Sequence, residues 1–146
     1  MPGYLIDTNV LSEVRKGKPR AAPEVWNWWI ERSEDTLCLS VITVGEIRKG
    51  IDRLRLLDGA QAFALDQWLN RMKAQFENQL IDVTEAIAEQ WGRLQAVRPL
   101  PDLDALLAAS ALHHDLILAT RNESDFAGLG VKVVNPFRNP AGQSSI

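Results

Sequence analysis

Apolar residues along the chain follow two alternating patterns. Five short runs, residues 4–6, 37–42, 80–83, 116–119 and 131–134, are dense in Leu, Ile and Val and bounded by polar residues, which predicts buried strands. Between them, apolar positions recur at three- and four-residue steps. Pro23 opens one such stretch, with Val25, Trp28, Trp29 and Ile30 on its apolar side. A second carries Ala62, Leu65, Leu69, Met72 and Phe76, and Thr84 is placed to cap a third bearing Ile87, Trp91, Leu94 and Val97. The segment between Pro101 and Asp115 is apolar on nearly every side apart from Asp104, which predicts a fully buried helix. Alternation of this kind predicts a three-layer α/β/α domain, with a central parallel sheet of about five strands covered by helices on both faces. Residues 50–78 depart from the rhythm, because two helical patterns follow each other there with only a break near Asp58 and Gly59. A helical hairpin projecting from the sheet, and serving as an oligomer contact, is the expectation.

In a parallel α/β sheet, ligands bind beyond the carboxyl ends of the strands, and the helix N-termini lie on that same edge. Asp7 directly follows the first strand, and Glu46 is expected in the first turn after the second. Asp104 falls in the first turn of the buried helix, and Asn122 and Asp125 come just after the fourth strand. Three or four carboxylates brought to one edge repel one another unless a proton or cation sits among them, and a hard divalent metal suits oxygen ligands. Each acid also has a purely structural reading. Thr43-x-x-Glu46 fits a capping box, Asp102 and Asp104 fit a helix cap and first turn, Asp125 fits a turn, and Thr8 or Asn9 can cap the helix after Asp7. Their joint arrival on one edge favours chemistry. A metal-free mechanism would need two cooperating histidines, but His113 and His114 lie at the opposite end of the buried helix.

Composition narrows the setting. The 146 residues are 46% hydrophobic and 24% charged, enough for one domain spanning 1–146 and too little for two. A net charge of -3 excludes a strongly basic protein that coats nucleic acid, so any such contact is local. Candidate phosphate contacts are Arg15, Lys16, Lys18 and Arg20 after the first strand, Arg48, Lys49, Arg53 and Arg55 after Glu46, and Arg121 beside the acid edge. The single cysteine, Cys38, lies in an apolar run and reads as a buried thiol suited to a reducing cytoplasm. No run approaches the ~20 apolar residues of a membrane span, so a soluble cytoplasmic protein is expected. The five tryptophans sit at helical spacings among Leu, Ile and Val, which predicts core or subunit interface.

Four segments together carry a family resemblance: Asp7-Thr8-Asn9-Val10-Leu11-Ser12-Glu13, Ser40-x-x-Thr43-x-x-Glu46, Asp104-Ala105-Leu106-Leu107-Ala108-Ala109, and Ala119-Thr120-Arg121-Asn122-x-x-Asp125-Phe126. With the closing Val133-Val134-Asn135-Pro136, they resemble the PIN-domain ribonucleases, and among these the VapC and FitB toxins of toxin-antitoxin pairs. The resemblance implies that Asp7, Glu46 and Asp104 hold Mg2+ or Mn2+, with Asp125 or Asn122 completing the shell or orienting the attacking water. It implies an endoribonuclease that leaves a 5' phosphate, and it implies a cognate VapB/FitA-like antitoxin. DNA would be contacted only through that antitoxin. From their places, Thr8 is expected to hydrogen-bond an acid or a phosphate oxygen, and Arg121 to contact substrate. The Trp-rich helices and the 50–78 hairpin offer more apolar surface than one small sheet can cover, which predicts a homodimer or higher oligomer. Two rivals are weaker. A phosphatase using Asp7 as nucleophile needs an acid where this chain has Asn9, and an inactive PIN-fold RNA-binding or interaction scaffold would not need all three acids.

Overall fold

The computed structural model describes residues 3–32 and 35–138. Five parallel strands, β1 (Gly3–Ile6), β2 (Thr36–Ser40), β3 (Leu80–Ile81), β4 (Ile117–Ala119) and β5 (Val133–Val134), form one sheet in the order β3-β2-β1-β4-β5. Six helices accompany them: α1 (Thr8–Val14), α2 (Pro23–Glu31), α3 (Val41–Arg55), α4 (Gly59–Gln75), α5 (Glu85–Val97) and α6 (Asp102–His113). The chain first builds outward from β1 on one side, then crosses to build β4 and β5 on the other. The carboxyl ends of β1 and β4 therefore flank the point where strand order reverses, the crevice in which open α/β sheets place their ligands.

Alternation along β1 splits the core in two. Leu5 packs with Ile87, Leu94, Leu107, Leu118 and Phe126 under α5 and α6. Tyr4 and Ile6 face the other way, onto Val10, Leu11, Val25, Trp28, Leu39 and Phe76. Helix α6 is buried from Ala105 through Ala111 except at Leu106, as its lack of a polar face predicts, and its run of alanines lets it lie close to its neighbours. Trp28 is core, edge-on to Tyr4 at 5.3 Å, whereas Trp26, Trp29, Trp68 and Trp91 are half-buried. Cys38 is buried, and burial pushes its thiol above the usual range. Among the described residues no helix is long and apolar enough to cross a membrane.

Several boundaries differ from the sequence expectation. The run 37–42 reads as one strand, yet β2 stops at Ser40, whose Oγ accepts the Ile42 N–H and starts α3 at Val41. A side-chain cap thus overrides the β-branched pair that follows it. β3 and β5 are two-residue strands, shorter than the runs 80–83 and 131–134. The hairpin expected over 50–78 has α3 and α4 as its arms, and its first arm already begins at Val41. Ile51, Ala62 and Leu69 give the hairpin a small core of its own, with Val44, Leu54 and Leu65 packed around it. Leu56 and Leu57, in the turn between the arms, are each 87% exposed.

Candidate metal centre

Asp7 leaves β1 at the switch-point crevice, and its N–H donates to Ala119 O of β4 at 3.0 Å. Its side chain caps α1, with Oδ1 accepting the Thr8 N–H at 2.7 Å. The cap is Asp7 itself, not Thr8 or Asn9. Oδ2 accepts from Thr120 Oγ1 at 2.8 Å and from Asn9 Nδ2 at 3.4 Å. Burial raises the Asp7 carboxyl above its ordinary value, partly offset by the bonds from Thr120, Thr8 and Asn9. Three donors hold the charged form, but they do not repay its desolvation.

Glu46 lies in the second turn of α3, not the first, because that helix starts at Val41. The capping-box reading fails for the same reason: the N-cap is Ser40, and Thr43 lies within the helix with a buried, unpartnered hydroxyl. Glu46 instead receives the Thr8 hydroxyl at 2.9 Å, so one residue touches two acids through its N–H and its Oγ1. Asp104 stands at the third position of α6, whose N-cap is Pro101, so Asp102 is the first helical residue and not the cap. The Asp104 carboxyl is pushed up by desolvation first, and then by the charges of Asp7, Asp125 and Glu46.

Asp7, Glu46 and Asp125 thus lie near enough to act on Asp104. Asp7, Glu46, Asp104 and Asp125 come from four separate segments, and among the described residues none of them is in a salt bridge. No three of the described His, Cys, Asp and Glu side chains already stand in coordination positions. An all-oxygen donor set of few carboxylates, two of them with raised pKa and none paired with a cation, fits a hard divalent metal that keeps several waters.

The remaining candidates lie around this cluster. Asn122 begins a single 3-10 turn, Glu123–Phe126, and its N–H donates to Thr120 Oγ1 at 3.1 Å. Asp125 is in that turn, and Glu123 pairs with Arg138. Arg121 is exposed, stacked on Phe137 at 4.6 Å, with its N–H on Asn9 Oδ1. Of the other basic residues, Lys16 pairs with Glu13, and Arg48 and Arg55 pair with Asp52 and Asp66 inside the hairpin. Arg15 lines a cleft with Thr8, Glu46 and Trp68, and Lys49 lines another with Glu46 and Leu103.

Thr120 has a role that sequence reading left unassigned. It is fully buried, donates to Asp7, and accepts the Asn122 N–H, so it ties β4 and the 3-10 turn to the acid. The available signal was a hydroxyl directly after an apolar strand whose end faces the acid edge. Thr120→Val keeps the shape and removes the donor. Loss of a hydrogen bond to a buried charged group is expected to cost roughly 1–3 kcal/mol. The Asp7 carboxyl should rise further, visible as a shifted side-chain carboxyl titration by NMR.

A parallel sheet with carboxylates gathered at its switch point defines the class, an α/β domain with an acidic crevice. Comparison with known proteins makes it specific. The PIN domain family model matches residues 4–132, and the chain belongs to that family. It is 33% identical to the plasmid stability protein StbB of Pseudomonas syringae over 91% of this chain and 97% of that protein. It is 29% identical to the VapC ribonuclease Y4jK of Sinorhizobium fredii over 91% and 96%. The crystal structure of FitAcB from Neisseria gonorrhoeae superposes with a TM-score of 0.83 at 28% identity, covering 93% of this chain and 99% of that one. A toxin-antitoxin complex from Klebsiella pneumoniae gives 0.64 at 28% identity, with the same coverage.

Proposed function

We propose that this protein is a Mg2+- or Mn2+-dependent endoribonuclease and the toxin of a toxin-antitoxin pair. The observation that carries the reading is that the charges of Asp7, Glu46 and Asp125 act on the Asp104 carboxyl, while among the described residues none of the four is in a salt bridge. Similarity to a VapC ribonuclease and to a chain from a toxin-antitoxin complex supports the activity and the partner.

Asp7, Asp104 and Glu46 hold the cation directly or through water, and Asp125 or Asn122 completes the shell. A cation held by these residues would supply Lewis-acid activation of water and charge neutralisation at the phosphate being cut. Everything else is done by the chain. Thr120 and Asn9 fix the Asp7 carboxylate, and Thr8 holds Glu46 toward it, the acid contact being one of the two roles expected of Thr8. Arg15 and Lys49, exposed and outside any salt bridge among the described residues, flank Glu46 from two clefts and grip RNA phosphates on either side. Arg121 adds a third cation beside β4. The partner is a VapB/FitA-like antitoxin, any DNA contact goes through it, and the exposed turn of the α3/α4 hairpin serves self-association in the cytoplasm.

The test is cleavage of a mixed RNA pool by the purified chain with Mg2+ or Mn2+, repeated with EDTA. Cleavage with 5'-phosphate ends that stops on chelation is expected. Undiminished cutting in EDTA, or none with either metal, would overturn the reading.

A further inference from the structure

We propose that the C-terminal end of α5 is a clasp for the acid cluster, with Arg98 as the positioning residue for Asp125; this rests on the metal-centre reading above. Arg98, the C-cap of α5, donates through Nη2 to the carbonyl oxygens of Asp125 at 2.7 Å and Ala127 at 3.0 Å. One turn earlier, Gln95 Nε2 donates to Leu100 O at 2.9 Å and to Asp102 Oδ1 at 3.3 Å, while its Oε1 accepts the Leu100 N–H at 2.7 Å. Gln95 thereby secures the connection that launches α6 and Asp104. The two residues hold two acids on different segments through one helix end.

The need for a clasp follows from the charges. Asp125 sits in a single 3-10 turn whose one buried side chain is Phe126, and it faces acids that repel it. That repulsion loads a turn otherwise anchored by the buried Phe126 and by the Asn122 N–H on Thr120. Arg98 opposes this by binding backbone and not carboxylate, and among the described residues it forms no salt bridge. A guanidinium on the Asp125 carboxylate would compete with a metal. A guanidinium on the neighbouring carbonyls holds the segment and leaves the carboxylate oxygens available.

Arg98→Met and Arg98→Lys test this against the wild type. Three measurements are made: amide hydrogen exchange over residues 122–127 without metal, Mn2+ affinity by calorimetry, and kcat and KM on an RNA oligomer. For Arg98→Met, exchange in that segment should rise about 10-fold or more, and Mn2+ binding should weaken by roughly 10–100-fold, the usual effect of losing an outer-shell support. kcat should fall with KM nearly unchanged. Arg98→Lys, which reaches one carbonyl with a single ammonium, should recover part of each loss, and it carries the test if the Met variant does not fold. Native exchange in the variants would overturn the clasp. Faster exchange with native Mn2+ affinity would overturn its link to the metal site, as would a wild type that binds no Mn2+. A wild type that binds Mn2+ without cutting RNA would overturn the nuclease reading alone, because the exchange and affinity comparisons would still stand.

Discussion

Asp7→Asn is expected to abolish RNA cleavage and to relieve the growth arrest that the wild-type chain should cause in a bacterial host, while soluble protein accumulates. Asp7 is the most buried of the four acids and is held by three donors, so it defines where a cation can sit. Asn keeps an oxygen for the Thr8 N–H but removes the charge. Cleavage should fall by about 1000-fold or more, corresponding to roughly 4 kcal/mol of charge stabilisation lost from the transition state. Metal-free stability should move the other way. Burial raises the Asp7 carboxyl, so the protonated form is favoured by folding; that stability is present at low pH and lost as pH rises through the raised folded-state value. A neutral side chain avoids the loss, and the metal-free melting temperature near neutral pH should rise by about 1–4 °C, the scale of 1 kcal/mol or less in a chain this long. Equal growth arrest by both versions would reject the toxin reading, and a lower melting temperature would reject the electrostatic account.

Glu46→Gln should separate ligand from structural residue. Gln retains an oxygen to accept the Thr8 hydroxyl, and Ser40 caps α3 unaided, so nothing structural depends on the Glu46 charge. Metal affinity and activity at limiting Mg2+ are expected to drop by roughly 10–100-fold, with partial recovery as Mg2+ is raised. Repulsion on Asp104 should ease, because Glu46 is one of the three charges that push its carboxyl up. Metal-free melting should therefore be held or slightly raised. Full activity at low Mg2+ would show that the centre consists of Asp7, Asp104 and Asp125 without Glu46.

Much of this protein was legible in its sequence because periodicity records burial. Short apolar runs marked all five strands and three- and four-residue spacing marked α2, α4 and α5, while the absence of a polar face on 102–113 announced α6 as buried. Boundaries were less legible where two local signals competed. Val41 and Ile42 look like strand, but the Ser40 hydroxyl starts a helix there, which moves Glu46 into the second turn and dissolves the capping box. The acids were legible as a set because a parallel sheet sends every strand end and helix start to one edge.

Partnership was decided by the tertiary structure alone. Asp7 and Thr120 are 113 positions apart, and they meet only because β1 and β4 are neighbours across the switch point. Thr8 touching Glu46, Arg98 holding the Asp125 segment, and Arg48 and Arg55 being neutralised within the hairpin while Arg15 and Lys49 stay in the clefts are equally invisible in one dimension. Sequence determines which residue types arrive at the edge, since hydrophobic patterning sets each element's direction. Which oxygen receives which proton depends on ångström-scale packing between elements, and that packing exists only once the whole chain has folded.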